Sequence, residues 1–299
     1  MKNNNKLKKK SQIGDVWRRF RKSLTAMIGL FIILLLILTA IFADVIAPPI
    51  DSPLLGTVPA YEYQDLLNTR QFPSAEFPFG TDGVGRDTFA RVVHGSRTSL
   101  LVGFVVVSIS LVSGVFLGAV AGFYGKAADS IIMRIMDIML AVPNILLAIS
   151  IAAALGAGLV NVMVAVGVGA IPGYARLVRA SILSLREQEF IEAARSIGAS
   201  DSRLVFRHLL PNCVAPIIVQ ATLDMAIAIL SAAALSFIGL GVEPPTPEWG
   251  AMLAQGREFV LSGYWPLTVF PGLAIALVVF GLNMLGDGLR DALDPRLKS

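Results

Sequence analysis

The sequence predicts an all-α integral membrane protein with six transmembrane helices, on three observations. Hydrophobic residues make up 55% of its 299 residues and charged residues 15%, with a mean hydropathy of +0.70. An average soluble domain carries about 25% charged residues. The apolar residues collect in six segments close to the length that a bilayer requires. The lysines and arginines fall mostly into alternate connections between those segments.

The first segment, 24–43, follows a basic head at residues 2–22. A signal peptide has a similar outline, but its apolar stretch runs to only about 7–15 residues. At a rise of about 1.5 Å per residue the segment covers roughly 30 Å, the thickness of the hydrocarbon core. It is expected to be a retained membrane helix. The others are 99–124, 131–155, 159–175, 214–240 and 266–285. The fourth is the shortest, and Pro172 and Gly173 leave its end undefined. The second carries Gly114, Gly118 and Gly122 at a spacing of four. Lipid gives helices no hydrophobic reason to associate, so small residues mark close contacts. The stripe fits either static packing within the chain or contact with a moving partner helix.

Orientation follows from the basic residues. With residue 1 in the cytoplasm, that side receives nine Lys and Arg in 2–22, two in 126–134, six in 176–207 and three in 290–298. The opposite side receives four in 70–97 and Arg257. Both termini and the stretch 189–212 are therefore expected in the cytoplasm. The long loop 44–98, with seven acids against four bases, is expected outside. The N-terminal lysines also suit contact with anionic lipid.

In the outer loop, GTDGVGRD places glycines at 80, 83 and 85, and Asp87 fits the N-cap of a short helix over 88–93. The stretch lacks the Lys-Ser/Thr of a phosphate loop and the ligand spacing of an EF-hand. It reads as a structural cap on the outer mouth or as a docking site for an extracellular protein. GFYGKAAD at 122–129 is no nucleotide-binding loop either. Trp249, Tyr264 and Trp265 fall at the predicted outer interface, where aromatic belts form; substrate contact is the alternative. One cysteine, Cys213, excludes an internal disulfide, and His94 and His208 are far apart. No metal, cofactor or nucleic-acid partner is expected.

Asp224 lies about ten residues into the fifth segment, near mid-bilayer. A central carboxylate costs about 2.5–3.5 kcal/mol on insertion scales, so it should face a cavity or a partner. It is a candidate for the translocation path, meeting a peptide amine or a cation. The alternatives are a buried hydrogen bond to a neighbouring helix and a place in a subunit interface.

Against this apolar background, EFIEAARSIGASDSRLVFRHLLPN at 189–212 has seven ionisable side chains. A helix is expected over 184–197, with Phe190, Ala194 and Ile197 on one face. Gly198 fits the left-handed position after a helix end, and Ser200 or Asp201 fits the next N-cap. Pro211 is expected to end or kink the second helix. Ala193 and Ala194 offer a flat surface for another protein.

This stretch resembles the EAA loop of ABC-importer permeases. Glu192-Ala193-Ala194 is followed by three residues, then Gly198, then Leu210-Pro211 at the family spacing. His208 departs from the isoleucine of the general pattern, as in the peptide-transporter branch. FGTDGVGRDTFARVVHGSRTSL at 79–100, LSFIGLGVEPPTPEWGAML at 235–253 and LGDGLRDALDPRL at 285–297 are similar to the C-type subunit of the dipeptide/oligopeptide/nickel permease family.

The resemblance implies a type I ABC-importer permease fold and a non-enzymatic transport subunit. It implies a homologous permease as heterodimer partner and two cytoplasmic ATP-binding subunits. An extracytoplasmic substrate-binding protein and a di- or oligopeptide substrate complete the set. It implies that Glu192, Ala193, Ala194, Gly198, Leu210 and Pro211 form an ATPase-coupling element. Glu192 would orient the hairpin, the alanines would allow close approach and Gly198 would make the turn. The chain then divides into a basic tail (1–23), a first helix with its outer loop (24–98) and a five-helix permease core (99–299). Glutathione or nickel is the alternative cargo. A proton-coupled secondary transporter built on Asp224 is the rival of another class, and a scaffold or receptor protein is a third. The sequence shows no inverted repeat of the kind many secondary transporters carry.

Overall fold

The computed structural model describes residues 12–52 and 56–294. The lysines at 2–10 and the 295–297 end of the last family motif lie outside the described residues. The chain runs through α1 (Gln12–Phe20), α2 (Leu24–Ile41), α3 (Ala43–Ile46), β1 (Ile50–Ser52) and β2 (Gly56–Val58). Next come α4 (Thr88–Tyr124), α5 (Lys126–Leu140), α6 (Asn144–Leu155), α7 (Leu159–Arg186) and α8 (Glu189–Ser196). A short α9 (Asp201–Arg203) enters a π-helical turn (Leu204–Leu209), followed by α10 (Leu210–Phe237), α11 (Trp249–Val260) and α12 (Pro266–Leu293). The antiparallel pair β1–β2 is a small addition in the outer loop.

Among the described residues five helices are long and apolar enough to cross a membrane, and α5 and α6 taken together as one bent span would make a sixth. The segment 131–155 is not one straight helix. α5 and α6 meet at 92° across a short break. Pro143 sits in that break; it has no N–H to donate and disfavours helical backbone at the residue before it. The bend is compatible with crossing. Helices of 15 and 12 residues measure about 22 and 18 Å, and at this angle their ends lie roughly 29 Å apart. The packing of α4 on α7 requires the return. Gly114 lies against Tyr174, Gly118 against Val178 and Gly122 against Ile182, so the two helices run parallel. The chain between them must cross back once.

That register also settles what the glycine stripe touches. It faces α7 of the same chain. A Cβ at Gly114 would sit 2.8 Å from the Ile171 carbonyl oxygen, and one at Gly122 would sit 3.0 Å from that of Arg179. Gly118→Leu is therefore expected to force α4 off α7 and lower the detergent melting temperature, at a cost of about 1–3 kcal/mol. An unchanged melting temperature would mean that this seam does not carry the packing.

α2 lies antiparallel on α12, where Gly281 and Gly288 admit Ile32 and Ala26. α10 packs between α4 and α12, with Val102, Val106, Ala228 and Ala232 in one core and Ile229, Ala233, Val278 and Leu282 in another. α1 closes on the end of α12: Phe20 is buried beside Ala292, and Arg19 donates to the Asp294 carbonyl at 3.2 Å.

Two prolines expected to end or blur helices, Pro172 and Pro211, are absorbed instead. α7 continues through Pro172 to Arg186, beyond the expected 175. The helix from Asp201 to Phe237 passes Pro211 and Pro216 without a break. The π turn precedes Pro211 directly, and the Leu210 N–H reaches back to the Val205 carbonyl. Widening that turn gives the proline ring room where an α-turn would crowd it.

Candidate functional site

The hairpin 189–211 is assembled from local signals. α7 ends at Arg186, and α8 begins separately at Glu189, five residues later than the expected helix start. The end of α8 is a full Schellman closure: Ala199 N–H donates to the Ala194 carbonyl at 3.1 Å and Gly198 N–H to that of Arg195 at 2.9 Å. Gly198 has the left-handed φ of +84° that this closure demands, with open space where a side chain would go. Ser200 takes the N-cap of α9, although its hydroxyl makes no capping bond.

The expected face of Phe190, Ala194 and Ile197 is not the buried one. Ile191 and Ala194 are buried with Ile182, Leu204, Leu209 and Cys213, which anchors the hairpin to α7 and α10. Phe190 is 41% and Ile197 87% exposed. Helical spacing from Ile191 places Ala194 inward, and Ile197 falls on the cap beyond the last turn. Ala193 and Glu192 lie at the surface while Ala194 does not, so the flat surface consists of Ala193 alone. Glu192 is in no ion pair among the described residues. Leu210 is half-buried and Pro211 exposed at the root of the hairpin. The hairpin thus has an apolar root and a solvent face combining Glu192, Ala193, Ile197 and Gly198. Arg176 and Arg179 of α7 hold α5 nearby through Asp137 and Asp129.

Asp224 lies far from this hairpin along α10. It is half-buried and accepts a hydrogen bond from Gln220 Nε2 at 2.9 Å, one helical turn away. The Tyr174 hydroxyl lies beside it, buried, without a hydrogen bond of good geometry. Asp224 lines a cavity together with Asn144 from the α5–α6 bend. The sequence alone did not single out Gln220, Tyr174 or Asn144. The four-residue offset of Gln220 and the Pro143-Asn144 pair were the available signals.

The loop before α4 is held by buried polar groups. Asp82 accepts the Arg86 Nε at 2.6 Å, an Arg91 nitrogen at 2.8 Å and the Val84 and Arg86 N–H groups. Arg91 is 1% exposed. The Asp87 carboxylate caps α4 through Phe89 N–H at 2.8 Å. Burial pushes its pKa up, against the pull of the Phe89 and Ala90 N–H groups. The expected short helix 88–93 is simply the first turns of α4. Glu248 caps α11 through Gly250 and Ala251 N–H, and burial raises its pKa too. Trp249 is not an interfacial residue: it is buried, and its indole N–H donates to the Val92 carbonyl at 3.0 Å. Tyr264 is buried with its hydroxyl against the Gln71 and Thr81 carbonyls. Trp265 is 45% exposed.

Residues 114–299 match the family described as the binding-protein-dependent transport system inner membrane component. Residues 11–71 match the N-terminal TM domain of oligopeptide transport permease C. The chain is 51% identical over 285 residues to the dipeptide transport system permease protein DppC of Alkalihalophilus pseudofirmus, covering 95% of this chain and 90% of that one. It is 45% identical over 293 residues to the di/tripeptide transport system permease protein DppC of Pseudomonas aeruginosa, covering 97% and 94%. It is 48% identical over 285 residues to the glutathione transport system permease protein GsiD of Escherichia coli, covering 95% and 90%. Among solved structures, the inward-facing MetNI methionine ABC transporter matches with a TM-score of 0.55 at 22% identity, covering 69% of this chain and 98% of that one. This last likeness is one of fold.

Proposed function

The chain belongs to the family of binding-protein-dependent transport permeases, and from that premise we propose that it forms half of the pathway of an ATP-driven importer of di- and oligopeptides. It is a multi-pass membrane transport subunit that works with ATPase and substrate-binding partners. In the proposed assembly a homologous permease forms the other half as a heterodimer. Two ATP-binding subunits sit on the cytoplasmic face, and a binding protein delivers peptide from outside. Both termini face the cytoplasm, as the basic residues gathered on that side suggest. Residues 1–23 are a cytoplasmic tail, 24–98 the first span and outer loop, and 99–299 the permease core.

The observation that carries this reading is the hairpin. A short polar helix, closed sharply at Gly198 and rooted by Ile191, Ala194, Leu204 and Leu209, joins α7 to α10. It couples rigidly to α7 and α10 while presenting Glu192, Ala193 and Ile197 outward. Closure of an ATPase groove around α8 would be passed through that root to the spans that carry Tyr174 and Asp224. Leu210 and Pro211 set the angle at which the hairpin joins α10. Asp224 lines the route that substrate takes.

Glutathione is the second reading, favoured by the 48% identity to the glutathione permease. The test is uptake into proteoliposomes holding this chain, its permease partner, both ATPases and the binding protein. Labelled dipeptide is expected to accumulate only with internal ATP and external binding protein. Preferential uptake of glutathione would change the cargo and keep the architecture. Uptake that follows a proton gradient without ATP would overturn the proposal.

A further inference from the structure

The α5–α6 bend opens onto a cavity of about 200 Å³ at the level of Asp224. Leu140 and Asn144 of the bend, Ser110 of α4, and Gln220, Asp224 and Ser231 of α10 contribute to its wall. Asp224 is the one ionisable side chain in that wall. Among the described residues it has no ion-pair partner. The two arginines on the neighbouring part of α7 are engaged elsewhere, Arg176 by Asp137 and Arg179 by Asp129. A carboxylate at this depth is costly unless a polar cavity or a cation meets it, and here the cavity wall contains no basic side chain.

The local chemistry narrows which cation fits. Gln220 already donates to Asp224 Oδ1 at 2.9 Å, which holds the carboxylate in place and leaves acceptor sites open on its oxygens. A metal ion would want several charged ligands, and no group of three His, Cys, Asp or Glu occurs among the described residues. A primary ammonium has three N–H donors and needs one carboxylate oxygen plus neutral acceptors. The Asn144 amide oxygen and the Ser110 and Ser231 hydroxyls are such acceptors on the same wall.

We propose that this cavity is a transit site for a primary ammonium group of the passing substrate, with Asp224 as counter-ion and Gln220 as the residue that positions it. The site rests on the peptide-import reading for its occupant, which brings such a group either as its α-amine or on a lysine side chain. The bend makes the site possible: an unbroken helix would carry its apolar side chains past Asp224 and leave Asn144 elsewhere.

The first test needs neither binding protein nor ATP. Cys213 is the one cysteine and is buried, so Cys213→Ser gives a silent background in which Ser231→Cys reports from the cavity wall. The purified chain is treated with aminoethyl and sulfonatoethyl methanethiosulfonate, a primary ammonium and an anion. The ratio of cationic to anionic labelling is expected to fall about tenfold when Asp224→Asn is added, since a nearby charge in a partly desolvated site acts at that scale. An equal ratio in both backgrounds overturns the proposal. The second test is uptake by the complete transporter. For Ala-Ala, Asp224→Asn is expected to lower the maximal rate about tenfold, without changing affinity for the loaded binding protein, and Asp224→Glu to recover part of it. Loss with Ala-Ala assigns the α-amine, and loss confined to Lys-Ala assigns the side chain. Unchanged rates for both peptides overturn the site's role in transit. If the unsubstituted complex carries no peptide while the labelling ratio still depends on Asp224, the import reading fails and the ammonium site stands.

Discussion

ATP-driven uptake by a transporter carrying Gly198→Val is expected to fall to background while the chain still inserts and elutes as a single species. A left-handed backbone costs a residue with a side chain roughly 1–2 kcal/mol, and a β-branched residue tolerates it worst. Space is not the obstacle, because nothing lies near the position a Cβ would take. The loss therefore comes from the turn, whose two closing hydrogen bonds to the Ala194 and Arg195 carbonyls require φ near the observed +84°. Relaxing it swings Ile197 and the end of α8 away from their present direction. The membrane core does not depend on this turn, so insertion and detergent behaviour stay normal. Glu192→Lys isolates the docking half of the argument. Glu192 is exposed and in no ion pair among the described residues, so reversing its charge has little to disturb within the chain. Uptake is nevertheless expected to be lost, with ATPase activity uncoupled from transport. Membrane yield, gel-filtration profile and uptake measured together separate the outcomes. Normal uptake by either variant would remove the hairpin from the coupling path.

The second large effect is at the opposite end. Asp82→Ala is expected to destabilise the chain by about 3–5 kcal/mol, the usual result of leaving a buried charge uncompensated. Two arginines depend on this one carboxylate. Arg86 and Arg91 have side chains 8% and 1% exposed, and both bond the same Asp82 oxygen. The arrangement is asymmetric, and the asymmetry gives a control. Two further nitrogens of Arg91, Nε and Nη2, are buried without partners. Arg91→Met therefore removes groups that are already poorly satisfied and leaves the Arg86–Asp82 pair intact. It is expected to cost clearly less than Asp82→Ala. Melting in detergent, followed through tryptophan fluorescence, reads both. Equal losses would mean that the Arg91–Asp82 bond alone carries the stabilisation, and not the sharing of one carboxylate by two arginines.

Much of the fold was legible because the bilayer is a severe solvent. A crossing needs a long apolar run, so composition, segment length and basic-residue placement identified the spans and the polar hairpin between the fourth and fifth. The turn at Gly198 and the cap at Asp87 were legible because each is decided by one residue's backbone freedom or side-chain acceptor. The EAA spacing made Glu192, Gly198 and Pro211 conspicuous, and family membership agrees with it.

What the sequence concealed has one physical origin. In a membrane helix the side facing lipid and the side facing protein are both apolar, so hydrophobic periodicity does not report which face is buried. The sequence by itself determined that the chain crosses a membrane, which apolar segments cross it and where its polar element sits. The tertiary structure alone decided that the Gly114–Gly118–Gly122 stripe packs on a parallel α7, and that Pro143 bends a span instead of ending it. It alone buried Ile191, Ala194 and Trp249, and it brought Asn144, Gln220 and Asp224 to one cavity. Those are choices of partner between surfaces of equal hydrophobicity, made by shape and by the few polar groups that must find one another.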